Sequence, residues 1–173
     1  MPYHFFPMIA RMRYINRWGL MRNTDPENIQ EHSHMVAVIA HALGVIRRDV
    51  FHIPCDPGEY AAVALYHDSS EILTGDLPTP IKYYSPEINA AYREVEDIAC
   101  RKLLATLPEE LQGTFRPLIK GETEERCHDL VKAADKLSAY IKCIEERRAG
   151  NDEFISAEKQ TRKLLEQSPL PEV

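Results

Sequence analysis

No apolar run in this 173-residue chain is long enough to span a bilayer; Met35 to Ile46, among the longest, is interrupted by His41. There is no CxxC spacing among the four cysteines, at 55, 100, 127 and 143, which excludes a zinc ribbon or a dithiol redox motif. Reduced thiols are the expectation. Positive charge is in deficit, with 21 Lys and Arg against 27 Asp and Glu and a formal net charge of −6. That balance disfavours nonspecific binding to nucleic acid polymers and leaves room for a local basic pocket. Prolines at 2 and 7 and the absence of a small-residue cleavage site argue against a signal peptide. The expected mature chain starts near Met1, stays in the cytoplasm and has no membrane segment. No alternating pattern of a strand and no internal repeat occurs.

What remains is helix. A content of 44% hydrophobic and 28% charged residues suits one soluble globular domain over residues 1–173. Val36, Ile39, Leu43 and Ile46 follow helical spacing over 28–48, with two arginines in the last turn opposing the macrodipole. Proline and glycine in "FHIPCDPGEY" break the chain before a second, alanine-rich helix at 60–73. "TGDLPTPIKYYSPE" is too rich in proline for a helix and reads as an ordered loop, a length that often marks function. A long helix starts at Pro86 after Ser85, with Ile88, Ala91, Tyr92, Val95, Ile98, Ala99 and Leu103 on one face, and Pro108 ends it. A short helix at 109–115, a long one at 124–148 striped by Leu130, Ala134, Leu137, Ile141 and Ile144, and a polar one at 154–166 complete the set.

Polar residues fall on the faces those helices bury. His32 lies four residues before Val36, His67 shares a face with Tyr60, Val63 and Ala64, with Glu71 one turn on, and Asp135 sits beside Ala134. Singly, each has a bland explanation: a histidine on an apolar face is more often a hydrogen-bonded core residue, and Asp135 could pair with a buried lysine. Jointly, three helices direct two imidazoles and two carboxylates, the second being Asp68, toward the interior. An isolated buried carboxylate is costly, and two nitrogens with two oxygens suit a catalytic divalent cation.

The order His32, then His67-Asp68, then Asp135 is the H, HD, D arrangement of the HD-domain metal-dependent phosphohydrolases. More narrowly, the chain resembles the bacterial 5'-deoxynucleotidases of the YfbR type. The resemblance runs through "INRWGLMRN" at 15–23, "EHSHMVAVIAHAL" at 31–43, "YHDSSEILTGDLPTPIKYY" at 66–84 and "VKAADKLSAYIKCIEE" at 131–146. It covers nearly the whole chain. Gly19 stands where the family pattern has proline, and Ser69 where it has alanine.

The resemblance implies an all-α HD-domain helical bundle with a metal site between helices. It implies hydrolysis of 2'-deoxyribonucleoside 5'-monophosphates to deoxynucleoside and phosphate, in a homodimer. By motif, His32, His67, Asp68 and Asp135 become the ligands of one divalent cation, with cobalt, manganese, magnesium and zinc all open. Glu71 becomes the residue that orients or deprotonates the attacking water, and Arg17 the phosphate-binding arginine. Trp18 and Asp76 contact the sugar, Thr79 overlies sugar and phosphate, and Lys82 adds a second positive charge. Without the resemblance, Arg17 is a surface ion pair, Trp18 core and Asp76 a turn residue. The competing readings are a catalytically idle HD-type nucleotide-binding regulatory module, or an HD phosphohydrolase acting on a different nucleotide.

Overall fold

A computed structural model describes residues 4–121 and 125–173. Its helices run α1 Phe5–Ile9, continued by a 3-10 turn at Ala10–Tyr14, then α2 Ile29–Asp49, α3 Pro57–Tyr66, α4 Glu71–Thr74 and α5 Thr79–Lys82. They continue with α6 Pro86–Leu104, α7 Glu109–Lys120, α8 Glu125–Arg148 and α9 Ile155–Glu166, the last preceded by a 3-10 turn at Asp152–Phe154. No strand occurs among the described residues, only an isolated antiparallel bridge between Asn16 and Asn28. This is the expected all-α architecture.

Helix ends follow local chemistry. The Asn28 side chain accepts from the Gln30 and Glu31 amides while the Glu31 carboxylate returns to the Asn28 amide, a reciprocal cap that fixes where α2 begins. Asp56 caps α3 ahead of Pro57, and Ser85 caps α6 ahead of Pro86. Gly121, at φ 62°, closes α7 in the left-handed conformation that glycine adopts without strain.

Several boundaries differ from expectation. The helix expected over 60–73 stops at Tyr66, because the Ser69 amide turns back to the Tyr66 carbonyl at 3.0 Å and the Glu71 amide to Asp68 at 3.0 Å, tightening the chain before α4. The proline-rich loop holds one helical turn, α5, with Pro78 at its N-cap and Pro80 in its first turn. Helix α7 runs to Lys120 rather than ending at Phe115, with Pro117 inside it. Glu124, where the long C-terminal helix was expected to begin, lies outside the described residues. Arg47 does not simply face solvent at the end of α2: it is buried against the Glu172 carboxylate and the Tyr60 hydroxyl.

The main core joins α2, α3 and α8 through Val36, Ala40, Val63, Ala64, Leu130 and Ala134. A Cβ on Gly44 would meet Tyr60 Cδ2 at 2.9 Å and Pro57 Cα at 3.0 Å, so α2 and α3 cross at a spacing only glycine permits. A second cluster seats Phe5 among Cys100, Leu103, Leu104, Leu107 and Ile119. Two expected stripes are only partly buried. On α6, Ala99 and Leu103 are buried but Ile88, Val95 and Ile98 are exposed. On α8, Ile141 is exposed, and the inward row from Leu130 and Ala134 continues through Ser138, Lys142 and Glu146, all buried.

Candidate metal centre and substrate arm

The core packing of α2 against α3 and α8 brings three elements to one point. His32 projects from α2, His67 is the residue on which α3 ends, Asp68 follows in the tight turn, and Asp135 comes from α8. Ligand atoms of His32, His67 and Asp135 all lie within 4.8 Å of one another. His32 Nε2 is 2.9 Å from Asp135 Oδ1, and Asp68 Oδ2 lies 3.2 Å from His67 Nε2 and 3.6 Å from His32 Nε2. Asp68 thus flanks the triad and touches both rings.

The histidines are oriented from behind. His67 Nδ1 is 2.6 Å from the Ala64 carbonyl, which can only accept, so in the neutral ring Nδ1 carries the proton and the Nε2 lone pair faces the triad. His32 Nδ1 is 3.3 Å from the Ser138 hydroxyl. Both Nε2 atoms are buried, and each faces a carboxylate oxygen, Asp135 Oδ1 for His32 and Asp68 Oδ2 for His67. Two buried nitrogens aimed at one point between carboxylates, each braced through its other nitrogen, fit a divalent cation.

Charge is concentrated here. Burial opposes the His67 imidazolium, but the Asp68 and Asp135 carboxylates overcome it and push its pKa to about 9. Burial likewise opposes ionisation of Asp68, yet His67, His32 and Arg17 hold its carboxyl far below the ordinary range. Glu71 goes the other way: burial, then the charges of Asp68 and Asp76, push it up to about 9. At neutral pH with no added positive charge Glu71 keeps its proton, and positive charge placed in the same pocket draws it toward the ionised form.

Beside this centre, residues 15–17 pair with 27–29 in antiparallel fashion, through the Arg17 amide to the Glu27 carbonyl at 2.9 Å and the Ile29 amide to the Ile15 carbonyl at 3.0 Å. Arg17 therefore reaches Asp68, Nη1 to Oδ2 at 3.4 Å, while its Nε donates to Glu27 Oε2 at 3.0 Å. The Trp18 indole N–H donates to the same oxygen at 3.2 Å, and its ring packs against buried Phe154 with centroids 5.2 Å apart and planes inclined at 57°. Trp18 sits at φ 59°, a conformation unfavourable for a bulky side chain. Its carbonyl is held by the Met21 amide and the Asn23 side chain, and its backbone hydrogen-bonds Asp76.

Asp76 follows Gly75, whose φ of 73° turns the chain after α4, and burial pushes its carboxyl up against the pull of Arg17. Arg17, Trp18, Asp68, Glu71 and Asp76 thus form one neighbourhood with the triad. Thr79 is exposed at the start of α5. Lys82 is engaged elsewhere, donating to Glu96 at 2.8 Å and lying 4.8 Å above the Tyr92 ring. Sequence reasoning missed Glu27 and Ser138. Ser138 could have been found from its spacing, one helical turn beyond Asp135; Glu27 carried no signal beyond its place before the α2 cap.

The profile of the YfbR-like 5'-deoxynucleotidases matches residues 4–173. A 5'-deoxynucleotidase of Vibrio parahaemolyticus is 49% identical over 171 residues, 98% of this chain and 88% of the relative. One from Cronobacter sakazakii is 50% identical over 166 residues, covering 95% and 83%. Among solved structures, an HD-domain phosphohydrolase of Listeria innocua superposes with a TM-score of 0.81 at 24% identity, over 91% of this chain and 76% of that one. The HD phosphohydrolase DatZ of cyanophage S-2L, solved bound to dA and one catalytic zinc ion, superposes at 0.65 and 24% identity, covering 95% and 86%. At that identity both structures speak for a common fold.

Proposed function

Since the chain belongs to the YfbR-like 5'-deoxynucleotidase family, we propose that His32, His67, Asp68 and Asp135 hold one divalent cation beside which Glu71, Arg17, Trp18 and Asp76 hydrolyse a deoxynucleotide. The reaction is that of a 5'-deoxynucleotidase, a phosphoric monoester hydrolase: a 2'-deoxyribonucleoside 5'-monophosphate and water give deoxynucleoside and phosphate. The observation that carries the metal reading is the pair of buried Nε2 atoms gathered with the Asp135 and Asp68 carboxylates in one cluster.

When bound, a divalent cation polarises the phosphoryl oxygens and acidifies water. Glu71, buried at the start of α4, is placed to orient the attacking water and take its proton. Arg17, its Nε edge occupied by Glu27 and its Nη1 3.4 Å from Asp68 Oδ2, turns its Nη groups to the phosphate oxygens. Trp18 and Asp76 flank the sugar, where an indole and a carboxylate exclude a 2'-hydroxyl by combined crowding and polar mismatch. Thr79 is assigned to the sugar and phosphate from the loop. Lys82 joins it as a second positive charge once it leaves Glu96. Cobalt, manganese, magnesium and zinc are all compatible with two nitrogens and two oxygens.

The proposal extends to a homodimer in the cytoplasm acting on mononucleotides rather than nucleic acid polymers. The exposed Ile88, Val95 and Ile98 on α6 support a partner on that face, and four free cysteines suit a reducing compartment. No helix among the described residues is long and apolar enough to cross a membrane.

Phosphate release from dAMP, AMP and 3'-AMP, measured after chelation and again with each metal added, tests the function. Metal-dependent release is expected from dAMP, with AMP and 3'-AMP poor substrates. No release from dAMP with any of the four metals would overturn the reading.

A further inference from the structure

We infer that Glu27 is the positioning residue that fixes the phosphate-binding arginine and the sugar-facing indole as one unit, and so sets both substrate affinity and discrimination against a 2'-hydroxyl. The inference rests on the roles of Arg17 and Trp18 given above. One carboxylate oxygen, Glu27 Oε2, accepts from Arg17 Nε at 3.0 Å and from Trp18 Nε1 at 3.2 Å. Arg17 and Glu27 side chains are only 14% and 15% exposed, so both bonds are shielded from water, where a charged acceptor counts for most.

The geometry assigns a distinct consequence to each bond. Engaging Nε removes one edge of the guanidinium and leaves the Nη edge on the side of Asp68, to whose Oδ2 Nη1 donates at 3.4 Å. Capturing the indole N–H chooses which way the ring faces, since Phe154, inclined at 57° to it, offers an apolar contact and no polar anchor. Because one oxygen does both, the arginine and the indole cannot move independently. The backbone closes the same unit: the Arg17 amide donates to the Glu27 carbonyl, so Glu27 is tied to the arm it orients by main chain and side chain together. A tryptophan at positive φ persists only when its surroundings over-determine it, and here Glu27, Phe154, Asn23, Met21 and Asp76 all do so.

Two variants separate the bonds. Glu27→Gln keeps an oxygen acceptor for the indole but removes the charge that holds Arg17; Glu27→Ala removes both. KM and kcat for dAMP and AMP are measured with saturating metal. Emission of Trp18, the single tryptophan, is recorded alongside. Glu27→Gln is expected to raise KM for dAMP about 10-fold, the loss of one charge-assisted bond, with kcat changed far less and the dAMP-to-AMP preference kept. Glu27→Ala is expected to raise KM at least as much, to reduce that preference about 5-fold or more, and to shift Trp18 emission to longer wavelength.

Folded variants with lower melting temperatures but wild-type KM, preference and emission would reduce Glu27 to a structural role and overturn the inference. Should Glu27→Ala fail to fold, the KM of Glu27→Gln decides. If wild-type protein releases no phosphate from dAMP, the functional reading fails by itself. Binding of inorganic phosphate by wild type and Glu27→Gln, with Trp18 emission, then decides the role of Glu27: unchanged binding and emission overturn it, weakened binding supports it.

Discussion

The Asp68 carboxylate reaches the guanidinium of Arg17 with the same oxygen that lies 3.2 Å from His67 Nε2. Arg17 and the cluster of His32, His67 and Asp135 are therefore joined electrostatically through Asp68. Asp68→Asn is expected to weaken metal binding and to loosen Arg17 together. Isothermal titration with cobalt and with inorganic phosphate should show both affinities falling; loss of the first with the second untouched would separate the two elements.

Glu71→Gln preserves size and cannot take a proton. Turnover of dAMP is expected to fall by about 100-fold or more, within the range general-base catalysis supplies. Metal content by elemental analysis should stay at the wild-type level, since Glu71 lies outside the ligand set.

Ser138 braces His32 from behind. Ser138→Ala is expected to lower metal affinity about 10-fold, the lower end of what loss of an outer partner costs. Competition against a chelator at fixed pH measures it, and excess metal should restore most of the activity.

Glu146 is buried and accepts from the Thr24 and Asp25 amides, the Asn151 side chain and Lys142. Burial pushes its carboxyl up, but those hydrogen bonds outweigh it and hold the pKa well below the ordinary glutamate value. A carboxyl depressed in the folded state contributes fully above its unfolded value of about 4.3 and loses that contribution as pH falls toward the folded value. Urea unfolding should therefore show stability dropping below about pH 4, with a smaller drop in Glu146→Gln. Glu146→Ala, which leaves the buried Lys142 ammonium the Asp25 carbonyl but removes its carboxylate, is expected to cost about 3 kcal/mol or more at pH 7.

Gly44→Ala places a methyl against Tyr60 and the Pro57 backbone. Part of that contact is backbone, which yields little, so a loss of about 1–3 kcal/mol is expected in chemical unfolding.

Much of this was legible in the sequence for identifiable reasons. The start of α2 follows from Asn28 and Glu31, and the burial of His32 from its spacing to Val36. The motif order anticipated the convergence of His32, His67 and Asp135, because HD and a distant aspartate meet only if α2, α3 and α8 pack as they do. The break at His67–Ser70 was not legible: no glycine or proline marks it, and the turn is made by backbone bonds that depend on burying Ser69 and Ser70. The inner face of α8 was misread past Ala134, because its buried row turns polar and hydrophobic periodicity cannot follow Ser138, Lys142 and Glu146. The outward stripe of α6 was assigned to the core for the opposite reason, apolar spacing without a partner inside the chain. Glu27 escaped notice because its importance lies in two neighbours ten and nine positions away, a relation set by the pairing of residues 15–17 with 27–29.

That short pairing has an evolutionary corollary. Asn28 both closes the bridge to Asn16 and caps α2, and His32 stands four residues further along the helix. Extra residues between 18 and 26 leave the clasped ends in register but disturb an excursion that Met21 and Asn23 tie to the Trp18 carbonyl and that the Thr24 and Asp25 amides tie to Glu146. A single residue inserted between Asn28 and His32 instead rotates the imidazole by about 100° around the helix axis. Length variation in descendants of this chain therefore loosens the arm on one side of the clasp and breaks up the cluster of His32, His67 and Asp135 on the other.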